Sequence, residues 1–155
     1  MTSHQNIYIR LATIQDLEPL AQLFNAYRQF YEQTPDIELA KGFIADRLNN
    51  QDSTILVAIN NAQKIIGFCQ LYPTFCSVIA APICVLYDLF VDSNVRKTGA
   101  GKALMLAAHK YAAKNDFKRL DLTTAKTNTS AQALYESLGW IRDEVFYSYS
   151  KEISE

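Results

Sequence analysis

VRKTGAGKALMLAAHKYAAKN, residues 95–115, begins as a poor helix and continues as a good one. Its opening carries glycines at 99 and 101 and three cationic side chains, Arg96, Lys97 and Lys102, where a helix ordinarily favours a carboxylate. No acidic residue occurs in the stretch, although Lys110 and Lys114 add further cations. The first turn of a helix exposes unpaired N–H groups and the positive end of the helix dipole. Glycines there let a bulky anion approach the backbone with no Cβ in the way. An acid in that turn would stabilise an isolated helix by up to about 1 kcal/mol. This stretch presents cations instead, as a pyrophosphate site would. Two readings follow. Either the turn through Thr98, Gly99, Ala100 and Gly101 cradles a phosphate-bearing ligand, or the glycines only join a strand to a helix and the lysines are solvated.

Immediately upstream, ICVLYDLFV at 83–91 is apolar apart from Asp88, the pattern of a central strand covered on both faces. Further back, residues 7–11 alternate as a first strand. Thr13-x-x-Asp16 resembles a capping box ahead of Ile14, Leu17, Leu20, Ala21, Phe24, Tyr27 and Tyr31 at helical spacing. A second helix follows Pro35 and carries Leu39, Phe43, Ile44 and Leu48. Residues 54–59 and 64–72 are two strands about an Asn60-Asn61 turn, and 73–82 read as a loop.

Downstream, the helix is predicted over about 98–115 and a short strand over 119–124. Thr129-x-x-Gln132 caps another short helix, ended by Gly139, and 145–150 form a last strand. No repeat, low-complexity tract or linker interrupts the order β-αα-ββ-β-α-β-α-β. That order predicts one α+β domain over residues 1–155, a mixed sheet with helices packed on it.

Composition removes several function classes. An apolar share of 49% and a charged share of 20% are those of an ordinary soluble domain. A formal net charge of −1 lacks the basic footprint that nucleic-acid binding leaves. The first residues, MTSHQNIYIR, lack the apolar core of a signal peptide, and the apolar run 78–87, broken by Pro82, is too short to cross a bilayer. Cys69, Cys76 and Cys84 are odd in number and form no CxxC pair. They suit buried thiols in a reducing cytoplasm rather than a disulfide frame or zinc site. With only His4 and His109, far apart, no metal is expected. A Ser–His–Asp triad would have to use His109 from inside a helical pattern.

The phosphate ligand is narrowed by elimination. A Walker loop, GxxxxGK[ST], fails because Arg96 stands five before Gly101 and Ala103 follows Lys102. A dinucleotide fingerprint fails because Leu104 occupies its third glycine position. What remains is Arg96-x-x-Gly99-x-Gly101 after a strand ending Asp88-Leu89-Phe90-Val91. Strand, turn and long helix resemble the acetyl-CoA-binding motif of the GNAT superfamily of N-acetyltransferases. Residues 128–140, NTSAQALYESLGW, resemble that family's second signature, a short helix preceded by Asn and followed by Gly-aromatic. Both motifs stand in the family's order, and the resemblance covers essentially the whole chain. The DLFV strand end and AYRQFYEQ at 26–33 look most like the small polyamine, thialysine and histone-type branch. Three positions depart from the pattern. Lys97 stands where many relatives have glycine, Ala100 where a larger aliphatic is common, and Tyr87 where diamine acetyltransferases often carry glutamate.

The resemblance implies a GNAT fold, with a mixed, mostly antiparallel sheet of six to seven strands flanked by about four helices. It implies acetyl transfer from acetyl-CoA to a primary amine of a small molecule or protein, by direct attack in a ternary complex. Main-chain amides from Arg96 through Lys97, Thr98, Gly99 and Ala100 to Gly101 would bind the pyrophosphate, with Arg96 and Lys102 adding charge. The strand edge at Leu89, Phe90 and Val91 would pair with the pantetheine amides, an N–H near Val91 polarising the thioester oxygen. Asn128 would bind the pantetheine arm. Tyr135 is the candidate general acid, its alternative being a half-buried structural tyrosine.

Asp88 has three readings: general base, anchor for the substrate ammonium, or loop cap. Tyr27, Tyr31 and Tyr87 are candidates to line the acceptor pocket, although Tyr27 and Tyr31 also suit a helix core. No cysteine lies beside a plausible base in sequence, which disfavours an acyl-enzyme. The competing class is a non-catalytic acyl-CoA sensor or subunit. Relatives are often homodimers, and residues 146–149 would be either an interface strand or the last strand of a monomer.

Overall fold

Strand β1 (Tyr8–Leu11) lies at one margin of a five-stranded sheet whose order follows the sequence. β2 (Thr54–Ile59), β3 (Ile65–Cys76) and β4 (Ala81–Val91) continue it in antiparallel register, and β5 (Leu120–Asp121) joins β4 in parallel. The protein is described here from a computed structural model covering residues 6–95 and 97–154. Two compact units divide the chain, Met1–Thr123 and Thr124–Glu155. The sheet belongs to the first.

Helices α1 (Leu17–Phe30) and α2 (Ile37–Asn50) follow β1 as a pair. Their entry is fixed by charge. The Arg10 guanidinium donates to both carboxylate oxygens of Asp16 at 2.7 and 2.8 Å, and the Thr13 N–H donates to Oδ2 at 2.8 Å. The Arg10 contact holds the Asp16 carboxyl below its usual range. Asp36 caps α2 by accepting from the Leu39 N–H at 3.0 Å. Leu20, Leu23 and Phe24 of α1 and Ala40 and Ile44 of α2 bury against Ile55, Val57, Ile59, Phe68 and Phe90 of the sheet. Alternation sends Leu56, Ala58, Cys69 and Leu71 to the opposite face. There α3 (Ala100–Lys114) buries Leu104, Met105 and Ala108. Each of the larger side chains stabilises the fold by roughly 1.5–3 kcal/mol through burial.

Three expectations need correction. The predicted loop 73–82 is instead the far end of a long hairpin: Tyr72 to Cys76 pair with Val85 to Ala81, and only residues 77–80 turn. Pro73 is tolerated because β3 has no β2 neighbour beyond Leu71, so one of its edges carries no ladder. The predicted last strand at 145–150 is not formed. Those residues are irregular, with Phe146, Tyr147 and Tyr149 exposed, which leaves five strands rather than six or seven. β5 is also shorter than its predicted 119–124 span, pairing only Leu120 and Asp121 with Cys84 and Val85.

The second unit contains α4 (Thr129–Ser137), closed as expected by Gly139 at φ +89°. Its cap is Asn128 rather than Thr129. The Asn128 Oδ1 accepts the Ala131 N–H at 3.3 Å. Among the described residues no helix is long and apolar enough to cross a membrane.

Val91 of β4 pairs with Gly67 of β3. A Cβ there would stand 2.9 Å from the Phe90 carbonyl oxygen and 3.4 Å from Leu104 Cδ1. Gly67→Ala is therefore expected to lower stability by about 1–3 kcal/mol, read as a lower urea midpoint at unchanged slope.

Candidate active site

The chain leaves β4 at Val91, makes a short 3-10 turn (Ser93–Val95) and enters α3 at Ala100. Arg96 lies outside the described residues, so its expected charge at the turn has no geometry here. Lys97 is exposed and holds φ +64°, and Gly99, the N-cap, holds φ +83° with open space where a Cβ would stand. Two left-handed residues in three make the turn tight. The first ladder bond of α3 is Ala103 N–H to Gly99 O at 3.0 Å, so the N–H groups of Ala100, Gly101 and Lys102 precede the ladder. No acidic residue occupies the first turn.

One further atom marks the turn. The Thr98 hydroxyl is the sole buried side-chain polar atom without a hydrogen-bond partner among the described residues. An unpaired buried hydroxyl costs roughly 1–3 kcal/mol, and an incoming acceptor such as a phosphate oxygen would remove that penalty. Unpaired amides, a positive dipole end, a glycine with clear space and an orphaned hydroxyl together fit an anionic ligand.

β4 has a second property beside this turn. On the β3 side it is paired along its length, with Leu89 opposite Cys69, Phe90 opposite Phe68 and Val91 opposite Gly67. On the β5 side its pairing ends at Val85. From Leu86 onward that edge has no ladder neighbour among the described residues. The predicted cofactor strand, Leu89 to Val91, thus carries an open row of backbone groups running toward the glycine turn.

A register shift lies between these regions. Gln70 pairs with Asp88 but Leu71 pairs with Leu86, so Tyr87 is an extra residue on β4. Asp88 is 4% exposed. Gln70 Nε2 donates to its Oδ2 at 2.6 Å, and the Ser53 hydroxyl donates to Gln70 Oε1 at 2.8 Å. The Tyr27 hydroxyl, donated from α1, stands between the Tyr87 carbonyl oxygen at 3.4 Å and the Asp88 carboxylate. Burial pushes the Asp88 carboxyl above its usual range, and the donors Gln70 and Tyr27 oppose that push.

Burial first, and the Asp88 charge second, raise the Tyr27 phenol well above its ordinary value and the Tyr72 phenol to about 12. Both phenols remain donors at neutral pH. Among the described residues no Lys, Arg or His pairs with Asp88. A buried carboxylate without a cation is a site for one.

Of the predicted pocket tyrosines, Tyr27 bonds this acid. Tyr27 packs edge-on against Phe68 and Phe90. Tyr31 stands edge-on to Tyr27 at 5.1 Å, and Tyr87, 67% exposed on the bulge, is edge-on to Tyr72 at 5.5 Å. His109 is exposed on α3. In the second unit, Tyr135 is half-buried beside Trp140, ring centroids 6.2 Å apart. Asn128 spends its carbonyl oxygen on the α4 cap. Gln70, Ser53 and Tyr72 were not anticipated from the sequence. A lone Gln inside the apolar run IIGFCQLY was the available signal.

A mixed α+β sheet that opens one strand edge beside a turn suited to an anion is the arrangement that the resemblance to N-acetyltransferases implies. Residues 17–140 match the acetyltransferase (GNAT) family, and the chain belongs to it. An uncharacterized N-acetyltransferase of Bacillus subtilis (strain 168), YhfO, is 45% identical over 141 residues, 91% of this chain and 94% of that one. A probable acetyltransferase of known crystal structure is 33% identical, covers 96% of this chain and 99% of its own, and superposes with a TM-score of 0.88. The aminoglycoside N-acetyltransferase AAC(6')-Iy, solved in complex with CoA, shares the fold at a TM-score of 0.80, 18% identity and 99% coverage of each chain. The protein is an acetyl-CoA-dependent N-acetyltransferase, with acetyl-CoA as its cosubstrate. The polyamine, thialysine and histone-type branch suggested by the strand end is not singled out by these relatives.

The raised Asp88 pKa makes a signed prediction. The folded state binds the Asp88 proton more tightly than the unfolded chain, so this stabilisation is present at low pH. It is lost as pH rises from the ordinary carboxylate range through the raised folded value. The stability of the wild type relative to Asp88→Asn should therefore fall with rising pH across that window, measured by urea unfolding at successive pH values. A constant or growing difference would contradict the direction.

Proposed function

We propose that the chain acetylates a primary amine by direct attack in a ternary complex, with Asp88 as general base and Tyr135 as general acid. The observation that carries this reading is the bulge on β4. It sets a buried carboxylate, unpaired with any cation among the described residues, next to the open edge at Leu89, Phe90 and Val91. Main-chain N–H groups from Arg96 to Gly101, the Thr98 hydroxyl and the Arg96 and Lys102 charges hold the pyrophosphate. The open edge of β4 pairs with the pantetheine amides, and the N–H near Val91 polarises the thioester oxygen. Asn128 retains its amide N–H groups for the pantetheine arm. Acetyl-CoA supplies the activated acyl group.

Asp88 takes the proton that an ammonium must lose before it attacks, and its raised pKa strengthens it as a base at neutral pH. Tyr27, Tyr31 and Tyr87 surround the amine with aromatic faces, which favour a cation. The Tyr135 phenol gives its proton to the departing thiolate.

The cysteines support direct attack over an acyl-enzyme. Burial raises the Cys69 and Cys84 thiols to about 12 and about 11, leaving them un-ionised at neutral pH. Cys76 ends β3, roughly 20 Å along the strand from Gln70. The acceptor is a primary amine of a small molecule or protein. Acetyl-CoA with spermidine, thialysine, aminoglycosides, amino acids and lysine peptides, followed by free-thiol release, sorts these classes. Thiol release with none of them, despite CoA binding, would favour a non-catalytic sensor.

Two substitutions test the roles. Thr98→Val removes the orphaned hydroxyl, so stability should hold or rise while CoA binds about 3–10-fold more weakly by calorimetry. Unchanged affinity would remove the hydroxyl from the phosphate site. Tyr135→Phe should lower kcat by about a hundredfold or more while CoA affinity stays within about twofold. An unchanged kcat would exclude Tyr135 as the acid.

A further inference from the structure

We propose that Gln70 is a positioning residue for this reaction: fixed by Ser53, its side-chain amide turns an N–H onto Asp88 Oδ2 and so orients the carboxylate that receives the proton of the acceptor amine. The inference rests on Asp88 being the base.

Gln70 is wholly buried in a strand whose neighbours Phe68, Cys69 and Leu71 are equally buried and apolar. A desolvated amide there is unfavourable unless both its ends are satisfied. The register places it directly opposite Asp88, and the extra residue at Tyr87 keeps the two on one face. An ionised carboxylate can only accept, so the amide nitrogen must face it. The carbonyl end then needs a donor, and the Ser53 hydroxyl 2.8 Å away is that donor. The string Ser53 to Gln70 to Asp88 therefore has one consistent direction while Asp88 is charged.

The choice of an amide has a chemical consequence. A charge-assisted hydrogen bond from a neutral donor steadies the anion against burial. Lys or Arg would steady it further, yet would repel the ammonium that Asp88 must receive. Among the described residues, the other titratable groups packed toward Asp88 are Tyr27 from α1 and Tyr72 from β3, and neither is cationic. Gln70 thus keeps the base ionised without competing for its substrate.

The test uses the full chain with its aspartates labelled by 13C at the carboxyl carbon, the Asp88 signal being assigned by its loss in Asp88→Asn. Its titration is followed in wild type, Gln70→Leu, Gln70→Glu and Ser53→Ala. The pH profile of kcat/KM is recorded in parallel with acetyl-CoA and the amine that releases most thiol in the panel. Removing the Gln70 donor should move the Asp88 titration and the acid limb of the profile together to higher pH. In Gln70→Leu, kcat/KM on the acid limb should fall about tenfold and recover at higher pH.

Gln70→Glu should move both further, because two adjacent carboxyls then share a proton, and Ser53→Ala should move both less. These two conservative variants carry the test if Gln70→Leu does not fold. A pH-independent loss, with the titration and the limb unmoved in every folded variant, would overturn the proposal while leaving the base intact. Should Asp88→Asn itself leave the rate and limb unchanged, the base assignment fails and this inference falls with it.

Discussion

Strand β4 has to be a well-covered core strand and, over its last residues, an unpaired edge. The two demands conflict, since an open row of backbone donors and acceptors in an apolar environment is unfavourable. The fold meets them by letting β5 accompany β4 only at Cys84 and Val85. β3 holds the other side throughout. Gly67 lets that side close tightly, bringing the β3 backbone against the Phe90 carbonyl. The bulge at Tyr87 follows from the same arrangement, because an extra residue bends and twists the strand where its second neighbour stops. Asp88, Gln70 and the tyrosines of the acceptor side depend on that bend.

The helix that follows reverses the usual charge preference at its start, and its surroundings show why this is tolerable. Two left-handed residues, unsatisfied amides and one orphaned hydroxyl mean that the turn is incomplete as a piece of protein alone. Each deficit is of a kind that an anion corrects. On the other face of the sheet the deficit has the opposite sign, a buried carboxylate lacking a cation among the described residues. A phosphate-bearing acyl donor and an ammonium acceptor would each supply what one of these places lacks.

Much of this was legible in the sequence because it rests on local rules. The glycine turn, the long helix after it, the lone acid in an apolar strand and the helical spacing of Tyr27 and Tyr31 are all short-range patterns. What was missed is non-local. Residues 73–82 read as a loop because they are apolar without clear periodicity, and a proline within them would ordinarily interrupt a ladder. Whether it does depends on which edges are occupied, and at Pro73 the β2 side is empty. The strand expected at 145–150 shows the converse, since alternation permits a strand but only a neighbour makes one. Gln70 was invisible as a functional residue because its meaning comes from a partner eighteen positions away. Thr129 had the right chemistry for a cap, but Asn128, one residue earlier, holds that place.

The β3 arm of the hairpin beyond Leu71 reaches past β2, and Phe75, Val78 and Ile79 are exposed at the tip. Such an overhang invites another chain to add itself as a further strand. Pro73 lies on that open edge and offers no N–H, so an intruding strand would find a gap in the row it tried to pair with. The residue thus acts as a gatekeeper, favouring a protein that stays dispersed while its sticky tip remains in water.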